Sequence, residues 1–555
     1  MCLQEIKKII AQKLDIDSQS LIYPQNHAWG DFSLPIFKLA KENNLSPDLI
    51  TKKLQDKILS DKELSSILLK TEIVGAYLNF FLKPDYLANK ILTDVLKYKD
   101  KYGWNNLGQK KVTVFEFSNV NTHKDFHIGH LRNICFGEAM VNIFKANGFC
   151  SYPVSYINDF GIHTAKAIWS YKRLYSKDLN KCYAETVKQM NDNPKIAEEV
   201  SLIMADIEKH QGKNYYLWKK TRSISLKEFN EVYKKNNIKF KKTYFESQVI
   251  NKGFKIVKKL IDDNILVKSQ GAIIADLEIY QLGVLPIIRQ DGTALYPVAD
   301  LALAEAKELN FKGLRDSYIV VDIRQSLYFK QLAKILSLAG YQQKINHLPY
   351  EFITLPDGMM SSRLGNAISY FSLYEKIKDC LIIETKKRHE NWSDKKIEKN
   401  CQSLAVAILK FEMLKVSPAK IITFDINEAV KFDGFNALYI LYGLVRIKSL
   451  LKKAKFKNNN KFNGKFLDTK IEQDLIFHLA KYPEVIIRSQ QQYDQSEIVK
   501  YLFELFQMFN DYYQQVKILS GDPKVLDTRL NFIYSLSLVA INALNLLGIK
   551  PLNEI

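Results

Sequence analysis

The residues with the clearest chemical potential are two histidines, His127 and His130, which flank Gly129 in the run His-Ile-Gly-His. A β-branched and aromatic run, 110–117, precedes them and a run with helical periodicity, 129–148, follows, so we predict a strand-to-helix turn. Imidazoles at a helix N-terminus can donate hydrogen bonds to phosphate oxygens, and a glycine lets the backbone approach a flat base. The pattern favours adenylate formation from ATP and a carboxylate, although core or surface histidines explain most isolated pairs of this kind.

A second pair of candidates, Tyr296 and Asp300, is four residues apart, about one helical turn. Pro297 is suited to the first turn of that helix. A carboxylate beside an aromatic ring can pair with a planar fork of donors such as a guanidinium group. The alternative is that Asp300 is only an acid favoured by its helix dipole and that Tyr296 is a core aromatic.

Composition narrows the class of protein. The chain has 555 residues, which predicts about three or four domains, and its 47% hydrophobic and 25% charged residues exclude a disordered chain. The formal net charge of +20 favours a polyanionic partner, with nucleic acid first and an anionic membrane second. A lysine-rich solubilising surface is the alternative.

The cysteines and apolar segments indicate a cytoplasmic protein. The six cysteines are far apart and form no Cys-x-x-Cys motif, which disfavours a zinc ribbon and excludes a dense disulfide framework. The N-terminus has the pattern of an amphipathic helix and not of a signal peptide. The most apolar stretch, 536–549, is shorter than the roughly 20 residues that a membrane span needs.

The order of the patterns predicts an α/β fold with a Rossmann-type parallel sheet in the middle of the chain. We expect a small α/β domain at 1–108, the parallel-sheet domain at 109–395 with a helical insertion at about 168–255, and an all-α domain at 396–555. Within the last domain, the basic, Asn-rich loop 452–466 has no apolar face, which is more typical of a solvated insertion than of a site.

Several segments together resemble the class I aminoacyl-tRNA synthetases, and arginyl-tRNA synthetases in particular. The matching segments read EFSNVNTHKDFHIGHLRN, SYINDFG, DGTALYPVADLALA, YIVVDIRQSLYFKQL, MMSSRLGN, SPAKIITFDINEAVKFDG and LLGIKP. They extend over essentially the whole chain and are weakest in the 168–240 insertion. So many segments at family-like positions make the resemblance very specific.

The resemblance implies a role for particular residues. The implied catalytic residues are His127, His130, Lys124 and Arg363, and the implied ATP-binding residues are His127, Gly129, His130, Met360, Ser361 and Ser362. The implied arginine-binding residues are Glu116, Asn121, Tyr296, Asp300 and Gln325, and the implied tRNA-binding residues are Tyr77, Asn79, Tyr439, Tyr442, Arg446 and Tyr513. Residue patterns leave two alternatives open: the tyrosines at 439 and 442 could be core, and Asn79 could be an exposed strand residue.

The second ATP motif, 359–363, departs from the family pattern. It reads Met-Met-Ser-Ser-Arg, so Met359 and Ser362 stand where the class usually has lysines. The resemblance leaves Lys124 and Arg363 as the expected cations, because a flexible ammonium can act as a point charge from either side of a phosphate. This departure leaves open the alternative that the protein is a non-catalytic tRNA-binding paralogue with a decayed ATP loop.

The activity implied by the resemblance is that of an arginine–tRNA ligase acting on L-arginine, ATP with Mg²⁺, and tRNA(Arg). We expect no bound zinc, no membrane contact, a monomer, and arginine activation that requires tRNA. Among other class I enzymes, a cysteine enzyme would want a zinc site, and a glutamate or glutamine enzyme would place a cation where Asp300 stands. A small nucleotidyltransferase with the same histidine motif would not need the all-α domain.

Overall fold

The structure is a computed structural model, and it describes residues 2–174, 176, 178–356, 358–359, 368–431 and 433–555. None of the helices in these ranges combines the length and the apolar character needed to cross a bilayer.

The N-terminal part is the predicted small α/β unit. Its elements are α1 (Cys2–Leu14), β1 (Phe32–Pro35), α2 (Ile36–Glu42), α3 (Pro47–Ser60), α4 (Lys62–Ile67), β2 (Leu68–Val74), β3 (Tyr77–Leu82) and α5 (Pro84–Tyr98). The strands form an antiparallel sheet in the order β1-β3-β2. Gly75, with a φ of +59°, makes the turn between β2 and β3, where only a residue tolerant of left-handed backbone fits well.

The central part carries the predicted parallel sheet. Its elements are β4 (Val112–Glu116), α6 (Ile128–Ala146), β5 (Cys150–Ile157), α7 (Ile162–Leu174), α8 (Leu179–Asp192), α9 (Lys195–Glu208), α10 (Gly212–Lys235), β6 (Lys242–Phe245), α11 (Glu246–Asp262), β7 (Val267–Ser269), β8 (Ala272–Asp276), β9 (Val284–Ile288), α12 (Tyr296–Asn310), β10 (Leu314–Asp322), α13 (Ser326–Leu338), β11 (Lys344–Tyr350), β12 (Ile353–Leu355), β13 (Gly358–Met359) and α14 (Tyr370–Arg388). The five-stranded sheet has the order β11-β10-β4-β5-β6, and every neighbouring pair is parallel. The chain order reverses between β4 and β10, which is the switch point where such sheets bind ligands.

One expectation about this part is wrong. The segment 168–255 was predicted to be helical, but Lys242–Phe245 is the strand β6, which pairs with β5 at the edge of the sheet. The four residues are too few to show a strand period, and only pairing with β5 makes them a strand. Helices α7 to α10 form the insertion proper, with their own small apolar core.

The C-terminal part is helical, as predicted. Its elements are α15 (Asp394–Leu414), β14 (Ile422–Thr423), α16 (Ile426–Ala429), α17 (Ala437–Lys453), α18 (Lys470–Gln492), α19 (Ser496–Gln515) and α20 (Pro523–Leu546). The two-residue strand β14 is the exception, and it pairs in parallel with β12 of the central part. One continuous apolar core joins this bundle to the N-terminal part and to the α6 face of the sheet.

Most of the basic loop 452–466 is exposed, as the sequence predicts, but a few of its residues anchor it to the core. Phe456 and Phe462 pack against the main core. The Gly464 N–H donates to Oδ1 of Asn89 on α5 at 2.8 Å, and the Asn531 amide on α20 donates to the Lys461 carbonyl at 3.1 Å. The loop therefore ties the C-terminal bundle to α5, and two of its three phenylalanines supply apolar contacts that are hard to see in a sequence rich in lysine and asparagine.

Candidate active site

A cavity of about 690 Å³ opens at the carboxyl ends of the parallel strands, beside the switch point. The predicted residues that line it are Glu116, Asn121, His127, Gly129, His130, Tyr296, Asp300 and Gln325. They come from the end of β4 and the turn after it, the start of α6, the first turns of α12 and the segment between β10 and α13. The predicted ATP-binding histidines and the predicted arginine-binding residues thus share one cavity.

The two histidines form a capping box at the start of α6. Nδ1 of His127 accepts from the Gly129 N–H at 3.1 Å, and Nδ1 of His130 accepts from the His127 N–H at 3.2 Å. The two rings stack with centroids 3.7 Å apart. Because Nδ1 is the acceptor in each neutral ring, the proton is on Nε2, and both imidazoles are left with an N–H to donate.

Burial keeps both rings neutral. It lowers the pKa of His127 to about 4, and the pKa of His130 also falls well below its ordinary value, chiefly by burial and then by the neighbouring charges. At neutral pH the pair therefore offers hydrogen-bond donors to a phosphate and carries no full charge. The partial positive charge of the helix N-terminus adds to this donor pair.

Backbone bonds hold the start of α6 in place. The Ile128 N–H donates to the Ile368 carbonyl at 3.2 Å, and the Tyr370 N–H donates to the Phe126 carbonyl at 2.8 Å. One turn further along α6, the Asn133 amide accepts from the Ser118 N–H and donates to the Val320 carbonyl, each at 2.5 Å. Asn133 thus bridges the carboxyl ends of β4 and β10 beneath the cavity.

Asp300 lies on the second turn of α12, and Tyr296 is the first residue of that helix, with 71% of its surface exposed. The Tyr328 hydroxyl donates to the Asp300 carboxylate. Burial raises the pKa of Asp300 to about 7; the charge of Glu116 raises it further, whereas the Tyr328 hydrogen bond and Lys307 lower it. A cation bound in the cavity next to Asp300 would therefore lower this pKa and favour the ionised carboxylate.

Glu116 is already paired with a cation. Its Oε2 lies 2.8 Å from Nζ of Lys307, and both side chains are almost fully buried. The Asn119 amide donates to the other carboxylate oxygen, Oε1, at 3.1 Å. Glu116 thus reaches the cavity with its charge balanced by Lys307, whereas Asp300 lines the cavity without an ion pair to any described side chain.

Several residues in or near the cavity were not found from the sequence, and Tyr328, which lines it, and Glu246, which lies near Asp300, are two of them. Tyr328 follows Gln325 by three residues, one turn of α13, and this spacing was the available signal. Glu246, at the start of α11, accepts from the Asn158 amide at 3.2 Å, and burial raises its pKa to about 8, with the charge of Asp300 adding to the rise. Nothing in the sequence singled it out, because it lies in the segment predicted to be a helical insertion.

The predicted cations lie beside the cavity or outside the described residues. Nζ of Lys124 is 4.7 Å from the ring centroid of Tyr183 on α8, and its charge lowers the pKa of both cavity histidines. Arg324 adds a cation that lines the cavity and pairs with Asp322 at 2.7 Å. Met360, Ser361, Ser362 and Arg363 lie outside the described residues. Of the second ATP motif only the backbone of Met359, in β13, is described.

The predicted tRNA-binding residues of the helical part lie on two neighbouring helices, α17 and α19. Arg446 of α17 donates to Oδ1 of Asn510 at 2.6 Å, and its guanidinium lies 4.9 Å from the ring centroid of Tyr513 on α19. Tyr513 is 42% exposed. Tyr439 and Tyr442 are half-buried on α17. Tyr439 and Tyr442, for which the core alternative was left open, pack against the main core, so their contact with tRNA stays a prediction.

In the N-terminal sheet, Tyr77 and Asn79 differ in exposure. Tyr77 is 41% exposed at the start of β3, whereas Asn79 is 2% exposed and accepts from the Ser33 hydroxyl on β1. The alternative that Asn79 is an exposed strand residue is wrong. Its neighbour β1 covers it, a contact that the alternation of β3 alone does not reveal.

Comparison with family models covers nearly all of the chain. The model for the catalytic domain of class I (R) tRNA synthetases matches residues 91–425, more than half of the chain. The arginyl-tRNA synthetase N-terminal domain matches residues 2–82, and the DALR anticodon-binding domain matches residues 440–555. The chain belongs to the arginyl-tRNA synthetase family. Class I synthetases use ATP as a substrate.

Similar proteins support the same family. An arginine–tRNA ligase of Treponema denticola is 30% identical over 99% of this chain and 96% of its own length. One of Halothermothrix orenii is 29% identical over 99% and 97%. Among solved structures, arginyl-tRNA synthetase of Thermus thermophilus shares the fold with a TM-score of 0.81 at 22% identity, covering 100% of both chains. These matches confirm the predicted family and fold class.

Among the described side chains of this arginyl-tRNA synthetase family member, no group of three His, Cys, Asp or Glu residues is placed to hold a metal ion.

Proposed function

We propose that the protein is an arginine–tRNA ligase, which forms arginyl-adenylate from L-arginine and ATP and then transfers arginine to the 3′-terminal adenosine of tRNA(Arg). The observation that carries this function is the shared cavity, where Asp300 stands beside the donor pair His127 and His130. A single carboxylate for a guanidinium and two neutral donors for a phosphate are what these two substrates require together.

In the first step, the arginine carboxylate attacks the α-phosphorus of ATP and pyrophosphate leaves. Negative charge grows on the α-phosphate oxygens, and fixed N–H donors at that position lower the barrier because they need no reorganisation. The Nε2–H groups of His127 and His130 supply these donors. Lys124 and Arg363 stabilise the departing pyrophosphate, Gly129, Met360, Ser361 and Ser362 contact the nucleotide, and Mg²⁺ enters with ATP.

Arginine is selected by charge and shape. Asp300 pairs with the guanidinium, while Tyr296 and Gln325 form the walls of its slot. Glu116 and Asn121 lie nearer the strand ends, and there they hold the α-ammonium and the groups beside it. A neutral side chain of the same length would leave the buried Asp300 without its partner, which is a strong basis for rejection.

The tRNA contacts two separate surfaces. Tyr77 of the N-terminal sheet offers an exposed ring for a base, with Asn79 behind it. Tyr439, Tyr442, Arg446 and Tyr513 form the aromatic and basic surface of the helical bundle, which suits splayed bases and phosphate. The enzyme acts as a monomer in the cytoplasm, and arginine activation requires tRNA.

The decisive experiment is aminoacylation of total tRNA with each of the twenty amino acids. We expect charging with arginine alone and arginine-dependent pyrophosphate exchange only when tRNA is present. Tight tRNA binding without any charging would instead identify a non-catalytic paralogue. Equal exchange rates with and without tRNA would contradict the tRNA requirement.

The variant Asp300→Asn tests the slot with almost no change in shape. Removing one member of a buried charge pair costs about 2–5 kcal/mol, so the KM for arginine should rise by about a hundredfold or more. The control is Asp316→Asn on β10, whose side chain contacts Asn346 away from the cavity. Normal arginine charging by Asp300→Asn would refute the proposed slot.

A further inference from the structure

Arg132 is a buried cation that the steps above do not use. It lies on α6 five residues after His127 and is 1% exposed. Its guanidinium donates to five backbone carbonyl oxygens, those of Glu351 at 2.6 Å, Phe352 at 3.1 Å, Ser417 at 3.3 Å, Pro418 at 3.3 Å and Lys420 at 2.8 Å. One side chain thus joins the helix of the histidines to two other backbone segments.

The five carbonyls stand just before two strands. Glu351 and Phe352 precede β12, and the segment 417–420 precedes β14. Strands β12 and β14 pair in parallel, with Ile353 opposite Ile422 and the Phe424 N–H donating to the Thr354 carbonyl at 2.9 Å. Arg132 therefore fixes the place at which both strands begin.

The segment held by Arg132 is also a wall of the cavity. Tyr350, Glu351, Phe352 and Ile353, here called the 350–353 wall, line the same cavity as His127 and His130. Beyond the wall, β12 pairs with β13, which ends at Met359, the first position of the second ATP motif. On the far side of that motif, 368–370 is bonded to 126–128 at the start of α6. Both flanks of the motif are thus tied to α6.

Burying the charged guanidinium of Arg132 costs free energy, which points to a role for this residue. Burial lowers the pKa of Arg132 to about 10, so the guanidinium remains charged at neutral pH. No carboxylate in the described ranges forms an ion pair with it, and the five carbonyl dipoles, with the more distant charges of Glu351 and Asp322, compensate the charge. A neutral side chain could fill the same volume without burying a charge, but it could not join three backbone segments.

We propose that Arg132 is a positioning residue, which sets the distance between the 350–353 wall and the histidine pair and thereby the place of ATP. The arginine slot is built on α12 and α13, which Arg132 does not contact. The inference rests on the proposed function, and arginine charging by the unaltered enzyme tests that function separately.

The variant Arg132→Lys separates position from charge, because lysine keeps the charge but has three donors on a single nitrogen in place of the planar fork. We expect the KM for ATP in pyrophosphate exchange with tRNA present to rise by about tenfold to a hundredfold, with the KM for arginine within about twofold. Hydrogen exchange should become faster in the peptide 350–359. An unchanged KM for ATP, or an equal rise in both KM values, would overturn the proposal.

A second variant covers the case in which Arg132→Lys does not fold. Thr354 and Thr423 meet through their hydroxyls at 3.2 Å on the exposed side of the β12–β14 pair. Replacing both with valine loosens the same wall without touching Arg132 or the main core, and we expect a smaller rise in the KM for ATP alone. The matched control is Thr71→Val on the distant strand β2, which should change neither KM. No change in the KM for ATP in the double variant would also count against the proposal.

Discussion

At the scale of single residues, the buried carboxyl groups in and around the cavity differ in whether a cation already pairs with them. Glu116 is balanced by Lys307, and Asp159 is balanced by Arg222, whose Nε lies 2.5 Å from it. By contrast, neither Asp300 nor Glu246 forms an ion pair with a side chain in the described ranges, and burial raises the pKa of both, to about 7 and about 8. A guanidinium in the slot would reverse this shift, so arginine binding should release protons.

The first prediction concerns pH. A carboxyl with a pKa near 7 in the empty enzyme must lose its proton before it pairs with a guanidinium, so affinity is complete above that pKa and is lost as pH falls. The KM for arginine should rise about tenfold per pH unit below pH 7, because one proton is displaced. Steady-state kinetics between pH 6 and 9 measure it. A KM independent of pH would show that arginine does not bind against Asp300.

The second prediction concerns Tyr328, which lowers the pKa of Asp300 by its hydrogen bond. In Tyr328→Phe that pKa rises further, so more of the carboxyl is protonated at pH 7. The KM for arginine should rise by several-fold to about tenfold at pH 7 and approach the normal value at pH 9. Tyr341→Phe, outside the cavity, is the control. The same rise at both pH values would mean that Tyr328 acts by shape and not through the charge of Asp300.

At the scale of elements, the N-terminus of α6 is built from the same histidines that we propose bind the α-phosphate. His130 closes the capping box by accepting from the His127 N–H, so one residue both ends the strand-to-helix turn and presents a donor. His130→Ala should lower the rate of adenylate formation by about 10²–10³-fold and leave the KM for arginine nearly unchanged. Single-turnover kinetics measure this, with His210→Ala in the insertion as control. A raised KM for arginine at a normal rate would contradict the role.

A second element, the basic loop 452–466, tests how the parts of the chain are joined. A Cβ on Gly464 would stand 2.5 Å from the Asp85 carbonyl oxygen and 2.9 Å from the Ala88 Cβ, both on α5. Gly464→Ala should therefore push the loop from α5 and destabilise the fold by about 1–3 kcal/mol. Thermal unfolding measures the change, and Lys457→Ala, exposed in the same loop, should have no effect. An unchanged Tm for Gly464→Ala would mean that the loop can move away from α5 without loss of stability.

At the scale of the whole molecule, the net charge of +20 suits a polyanion the size of tRNA. Each phosphate neutralised by a lysine or arginine releases condensed counterions, so tRNA affinity should fall steeply with salt. We expect a slope of about −4 or steeper for the logarithm of the association constant against that of salt concentration, by filter binding between 50 and 200 mM. The KM for arginine, tested in parallel, should change far less. A tRNA association constant that does not change with salt concentration would mean that the positive charge serves solubility alone.

The sequence by itself determined the features that depend on residues close together in the chain. The strand-to-helix turn at His127 and the one-turn spacing of Tyr296 and Asp300 follow from local periodicity, which is why both predictions hold in the structure. The parallel sheet and the helical C-terminal part follow from the same kind of pattern.

Only the tertiary structure decided the contacts between distant segments. The pairing of Lys307 with Glu116, the burial of Asn79 under β1, and the five carbonyls around Arg132 join residues tens to hundreds of positions apart. No periodicity encodes such contacts, because they arise when whole elements pack and bring their polar groups out of water together. The charge balance of the cavity exists only after that packing.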